Sequence, residues 1–274
     1  MTTFQKIVKY LALAFAIFII VNIIYGILFG VYALGLALGY IHEDRNEQIE
    51  AMDGIVQLDN TKVANLEINL KYSNLEIKKG DYLLAETNNK NISCKQNGDK
   101  ILIEESNYNW FSGNKQGKII VYIPEDFVFE TVEIETGAGQ INIEQINSDK
   151  LSLEIGAGKV EIQNLIVNSK TKIEGGAGKV DILAGKINNL KLDMGVGKFT
   201  MSTKLIGDSK INAAIGALEI GLIDEEENYT IKAEKGIGTI KINGKEIAND
   251  TRYGTGENYI EIDGGIGNID ITTK

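Results

Sequence analysis

The sequence predicts an all-β repeat protein of the β-solenoid or β-roll type, with coils of about twenty residues, preceded by one N-terminal transmembrane helix. Three observations lead there. A glycine corner recurs at a nearly fixed period, an apolar/polar alternation of period two flanks each corner, and a long apolar run precedes the first repeat.

The corners read Gly137-Ala138-Gly139, Gly156-Ala157-Gly158, Gly176-Ala177-Gly178, Gly195-Val196-Gly197, a degenerate Gly216-Ala217-Leu218, Gly236-Ile237-Gly238 and Gly265-Ile266-Gly267. Their first glycines are separated by 19, 20, 19, 21, 20 and 29 residues, so six corners keep one period and the last follows an insertion. Val132 and Ile134 precede the first corner and Ile141 and Ile143 follow it; Leu151, Leu153 and Val160, Ile162 do the same for the second. Glu133, Glu135, Asn142, Glu144, Glu161, Gln163 and Asp181 fill the other phase, which leaves that face to water. Each repeat therefore reads as two short strands joined at a bend. Stacking buries an apolar face that one repeat cannot bury alone. Parallel and antiparallel stacking both fit this pattern.

From the N-terminus, residues 10–41 are apolar apart from Asn22 and tyrosine hydroxyls, a length of about 48 Å as a helix. About twenty residues suffice to cross a bilayer. Lys6 and Lys9 precede the run and Glu43, Asp44, Arg45 and Glu47 follow it, which predicts a cytoplasmic N-terminus and a repeat domain outside. Residues 1–41 are thus expected to be a cytoplasmic tip and single-pass anchor in the cell membrane. Asn22, Gly26, Gly30, Ala33 and Ala37 share one face of that helix with other small residues. Such a stripe suits close packing on another copy or on a membrane-protein partner.

Residues 42–62 read as a polar juxtamembrane connector and residues 63–274 as the repeat domain. Within it, the alternation at Val63, Leu66, Ile68, Leu70, Leu75 and Ile77 reads as an irregular first coil that closes one end of the core. Tyr108, Trp110 and Phe111 lie in a loop between two apolar strands. They either contact a ligand or fold back over the end of the core. The insertion at 244–258, with Arg252 and Tyr253, is the second candidate contact loop. The chain stops soon after Ile269 and Ile271, which predicts a short last strand whose Thr272, Thr273 and Lys274 protect an edge.

Two of the 28 basic side chains and none of the 38 acidic ones lie in residues 1–41, so the repeat domain is more acidic than the net charge of −10. A nucleic-acid partner does not fit that balance. Cys94 is the only cysteine, so no intrachain disulfide forms; one histidine, His42, stands beside the expected membrane span, away from any nucleophile. Gly156-Ala157-Gly158-Lys159 and Gly176-Ala177-Gly178-Lys179 imitate a phosphate-binding loop, but Leu153 and Ile173 replace the required earlier glycine and Val160 and Val180 the hydroxyl residue. Calcium-binding nonapeptide matches at 175–181 and 264–270 place the aspartate one position late. No cofactor, metal or catalytic set is expected.

The run from Lys118 through Pro124, Phe127, Phe129 and Gly137-Ala138-Gly139 to Glu144 resembles the bacterial putative-adhesin family, a domain of unknown function built of β-strand repeats. The resemblance covers roughly residues 63–274. It implies a membrane-tethered extracytoplasmic β-domain, with some relatives linked to envelope-stress regulation. Three functions follow as expectations: a structural or adhesin-like role at the cell envelope toward an envelope ligand or protein, a regulatory membrane subunit in envelope-stress sensing, and, third, a polysaccharide hydrolase.

Overall fold

The computed structural model describes residues 54–57, 63–106 and 117–274. The expected tip, transmembrane helix, most of the connector, the small-residue stripe from Asn22 to Ala37, and Tyr108, Trp110 and Phe111 lie outside the described residues.

The chain runs through β1 (Gly54–Gln57), β2 (Asn65–Leu70), β3 (Asn74–Lys79), β4 (Leu84–Thr87), β5 (Ile92–Asn97), β6 (Lys100–Glu105) and β7 (Lys118–Ile123). It continues through β8 (Phe129–Ile182), β9 (Gly185–Asn188), β10 (Leu190–Ile206), β11 (Asp208–Leu222) and β12 (Tyr229–Ile242), and ends with β13 (Lys245–Glu246), β14 (Thr251–Gly254) and β15 (Asn258–Thr273). The long strands are not straight. Each bends at a glycine corner and pairs on both sides of it, so β8 alone holds three corners, at 137, 156 and 176.

Stacking is parallel. Leu192 pairs with Ile173 on one side and Ile211 on the other, and Phe199 with Val180 and Leu218. Equivalent residues of successive coils thus form ladders at about 4.8 Å spacing. Val132, Ile134, Leu153, Ile173, Leu192, Val160, Ile162, Phe199 and Met201 all point into one buried core.

The coil is richer than two strands and a bend. A third side carries its own ladder, in which β9 pairs in parallel with Leu165–Val167 of β8 and with Lys204–Ile206 of β10. Leu165, Val167, Ile187 and Leu205 bury from it. Asn189 turns the chain into the next coil with φ 47, donating its amide to the Ser169 carbonyl at 2.8 Å and accepting from the Asp208 N–H at 3.2 Å.

Coils do not stack in chain order at either end. β15 pairs in parallel with β11 (Ile262 with Ile211) and with β12 (Ile262 with Ala233), so the last strand of the chain sits between two earlier coils. This corrects the expectation of a terminal edge: Thr272 and Thr273 pair with Gly221 and Leu222, and Ile271 is fully buried. The outer coil is β12, covered by antiparallel β13 and β14. At the other end, β2 lies between β8 and β6, and β3 between β8 and β7. The 63–77 segment is therefore an inner coil, and β6 with β7 forms the outer one, flanked by antiparallel β5 and β4. Both ends thus finish on antiparallel flanking strands instead of a bare parallel edge.

One corner is also reassigned. Gly195, Val196 and Gly197 stand level with Ala214, Ile215 and Gly216, so the fifth corner is Ala214-Ile215-Gly216, and Ala217-Leu218 already belong to the next side. Gly216 takes the second position, not the first. The second glycines at 139, 158, 178, 197, 216, 267 and 238 all have φ between 138 and 157. A Cβ on Gly197 would collide with the Gly178 carbonyl oxygen, one on Gly216 with Gly197, one on Gly267 with Gly216, and one on Gly238 with Gly267. Positive φ and this backbone contact together require glycine there.

Candidate functional site

The residue between the two glycines points outward at the bend and repeats on every coil. Val196 pairs with Ala177 on one side and Ile215 on the other; Ile266 pairs with Ile215 and Ile237. Glycine contacts stack Ala177 over Ala157 and Ala157 over Ala138. The result is an uncharged ridge that grades from Ala138, Ala157 and Ala177 through Val196 to Ile215, Ile266 and Ile237. Ile237, at the outer coil, is 49% exposed. Aliphatic side chains held in line at a solvated bend contribute little to the core.

The ridge continues past Ala138, whose N–H donates to the Lys71 carbonyl at 2.8 Å, placing Tyr72 at the corner of the next coil. That corner has no glycine. Instead the amides of Lys71, Tyr72 and Ser73 converge on Glu105 Oε2 at 2.8, 3.0 and 3.1 Å. Ser73 Oγ and Asn89 Nδ2 donate to its Oε1 at 2.7 and 3.0 Å. Glu105 is 4% exposed. Burial pulls its carboxyl pKa upward, but the combined donors outweigh burial and hold it below the ordinary 4.5.

A group with a depressed folded pKa stabilises the fold above its unfolded value and loses that contribution as pH falls through the folded value. Glu105→Gln is therefore expected to destabilise the domain by about 2 kcal/mol at pH 7, because charged hydrogen bonds become neutral ones. Urea unfolding at pH 7 and below pH 4 checks this: the difference between variant and parent should shrink in acid.

The ends of β6 and β7 are pinned beside the Glu105 cluster. Ser106 N–H donates to the Asn91 carbonyl at 2.9 Å, and the Gly117 carbonyl accepts from Asn74 N–H at 2.8 Å. A Cβ at Gly117 would strike Asn89 and Ser73. Ser106 and Gly117 thus both lie close to the corner at Tyr72 and Ser73.

Arg252 and Tyr253 are placed at the opposite end, on the flanking strand β14. Arg252 is exposed and in register with Lys232, while Tyr253 packs against the core and donates its hydroxyl to Glu226 Oε1 at 2.8 Å.

Both flanks of the ridge are charged. The outward residue before the bend is Glu135, Glu154, Glu174 or Asp193 in four consecutive coils, and the outward residue after it is Lys159, Lys179 or Lys198 in three. Each lysine pairs along its own flank, Lys159 with Glu161 at 2.9 Å, Lys179 with Asp181 at 2.5 Å and Lys198 with Glu219 at 2.6 Å. On the acidic flank Lys172 bridges Glu154 and Glu174 at 2.8 and 3.0 Å, and Lys191 holds Asp193 at 2.9 Å. The Asn212 amide first, then Lys191, keeps the Asp193 carboxyl below its ordinary range.

Among the described residues, no group of three or more His, Cys, Asp or Glu side chains is placed to hold a metal ion. Burial pushes the Cys94 thiol up to about 11, which leaves it protonated and a poor nucleophile at neutral pH.

The sequence alone does not single out the ridge, because a small middle residue at each corner is equally explained by a tight bend. Its signal was present: that position is uncharged in every corner. Glu105 offered none, since nothing local distinguishes it from Glu104.

No curated protein matches the chain. Solved structures with a similar outline include a putative cell adhesion protein from Clostridium sporogenes, 18% identical over 81% of this chain and 98% of its own, with a TM-score of 0.35. A putative adhesin from Bacteroides fragilis is 13% identical over 80% of this chain and 97% of its own, with a TM-score of 0.38. A putative lipid binding protein from Parabacteroides distasonis is 11% identical over 80% and 96%, with a TM-score of 0.34. These likenesses are too loose to carry function. The family profile described as Toastrack DUF4097 matches residues 63–262, most of the described solenoid, and on that match the chain belongs to the Toastrack DUF4097 family.

Proposed function

We propose that this protein is a single-pass membrane protein whose repeat domain works outside the cell as a structural or adhesin-like contact module of the envelope, not as an enzyme. Residues 1–41 would anchor it, residues 42–62 would connect, and residues 63–274 would present the contact surface. The observation that carries this reading is the ridge from Ala138 to Ile237, held in line by stacked glycine corners. A stack pinned by parallel ladders keeps such side chains at constant spacing, which suits binding to an extended or repetitive partner. The small-residue stripe from Asn22 to Ala37 favours a second reading, a regulatory subunit that contacts a membrane protein.

Protease treatment of intact cells tests the topology. Cleavage within 42–62 should release a resistant fragment of about the size of residues 63–274. Full protection until the cells are lysed would place the domain inside and overturn the proposal.

A further inference from the structure

We infer that the corner edge is a self-association surface on which two copies of this chain pair side by side, with solenoid axes parallel and coils in register. This goes beyond the envelope role and does not depend on it.

Charge placement decides the arrangement. In three consecutive coils an acidic residue flanks the ridge on one side and a lysine on the other: Glu154 and Lys159, Glu174 and Lys179, Asp193 and Lys198. A two-fold axis running along the ridge brings each corner onto the same corner of the second copy. It also sets the lysine flank of one copy opposite the acidic flank of the other, at the same level of the stack. The alternative two-fold axis, across the stack through Val196, would set Asp193 and Lys198 against their own counterparts and Glu154 against Asp263, and would leave Lys159 and Lys179 opposite Asn268 and Ala217, which opposes association. The lysines now pair within their own flank, but surface ion pairs hold weakly and exchange partners at little cost.

Size agrees. Seven corners at about 4.8 Å make a ridge of roughly 29 Å, and a strip about 20 Å wide over both copies removes on the order of 1,200 Å² from water, the lower end of specific interfaces. The alanines at one end let the two backbones approach closely. At the other end Ile215, Ile266 and Ile237 would meet their own counterparts and lose their exposure.

Single cysteines in the full chain, in detergent micelles and in a Cys94→Ser background, test this. Ala157→Cys, Val196→Cys and Ile237→Cys should each oxidise to a covalent dimer, since each corner meets itself. Thr200→Cys, on the outward face of the same coil as Val196, should stay monomeric. Adding Lys159→Glu, Lys179→Glu and Lys198→Glu to Ala157→Cys should cut the yield at least roughly tenfold, because both flanks are then acidic. Cross-linking of Val196→Cys alone, the middle of the stack, would indicate antiparallel pairing and overturn the inference. Absence of dimer at all three corners, in variants that melt like the parent, would overturn it as well.

Discussion

Gly197→Ala is expected to destabilise the domain by at least about 3 kcal/mol and to lower its melting temperature by roughly 6–12 °C. Two costs add. Gly197 has φ 150, a conformation that strains any residue with a Cβ by about 1–3 kcal/mol. The new methyl also points into the Gly178 carbonyl, and Gly216 leans on Gly197 from the other side. Relief requires the coils to part locally, at about 1 kcal/mol for each ladder hydrogen bond lost. An internal comparison sharpens the result. Gly195→Ala also sets a methyl against a backbone carbonyl, that of Gly176, but at a position without positive φ and in a column where the neighbouring coil already carries Ala214. That variant should lose clearly less than Gly197→Ala; equal losses would mean that crowding alone, without backbone strain, selects glycine.

Removing residues 258–274 is expected to abolish cooperative unfolding instead of fraying an end. Ile260, Ile262, Ile269 and Ile271 are at most 3% exposed, and each stabilises by about 1.5–3 kcal/mol on burial. Together that is about 6–12 kcal/mol, comparable with the whole net stability of an ordinary domain. The deletion also empties the slot between β11 and β12, so the outer coil and its flanking strands lose their support. A stack in chain order would respond differently. There β15 would be the end coil, and its loss would leave a cooperative transition at a lower midpoint. Urea unfolding followed by far-ultraviolet circular dichroism separates the two outcomes.

The repeat, its period and the inward phase of each strand could be read from residues alone. Apolar alternation around Gly137-Ala138-Gly139 leaves little choice of structure. Coil order could not be read, for a physical reason: Ile211, Ile262 and Ala233 offer nearly interchangeable faces, so any coil can neighbour any other in a parallel ladder. The 29-residue step before Gly265 was the one hint of the return of β15. Gly216-Ala217-Leu218 imitates Gly-Ala-Gly, whereas Gly216 closes the corner Ala214-Ile215-Gly216. Only the backbone shows that the strained position is the second of each pair. The Glu105 clasp joins it to residues 32 to 34 positions away and to Asn89, 16 away, and has no local signature.

The intercalated stack, with β15 held between β11 and β12, fixes the spatial order Val196, Ile215, Ile266, Ile237 along the corner edge. Disulfide mapping tests it most directly. In a Cys94→Ser background, Ala217→Cys with Asn268→Cys pairs two residues in register on adjacent coils, at a separation of about 4.8 Å that a disulfide spans. Ala217→Cys with Thr239→Cys places the thiols two coils apart, at roughly 10 Å, too far to join. The intercalated order predicts a disulfide in the first variant and free thiols in the second. A disulfide between 217 and 239, with none between 217 and 268, would put the coils in chain order and contradict the insertion of β15 between β11 and β12.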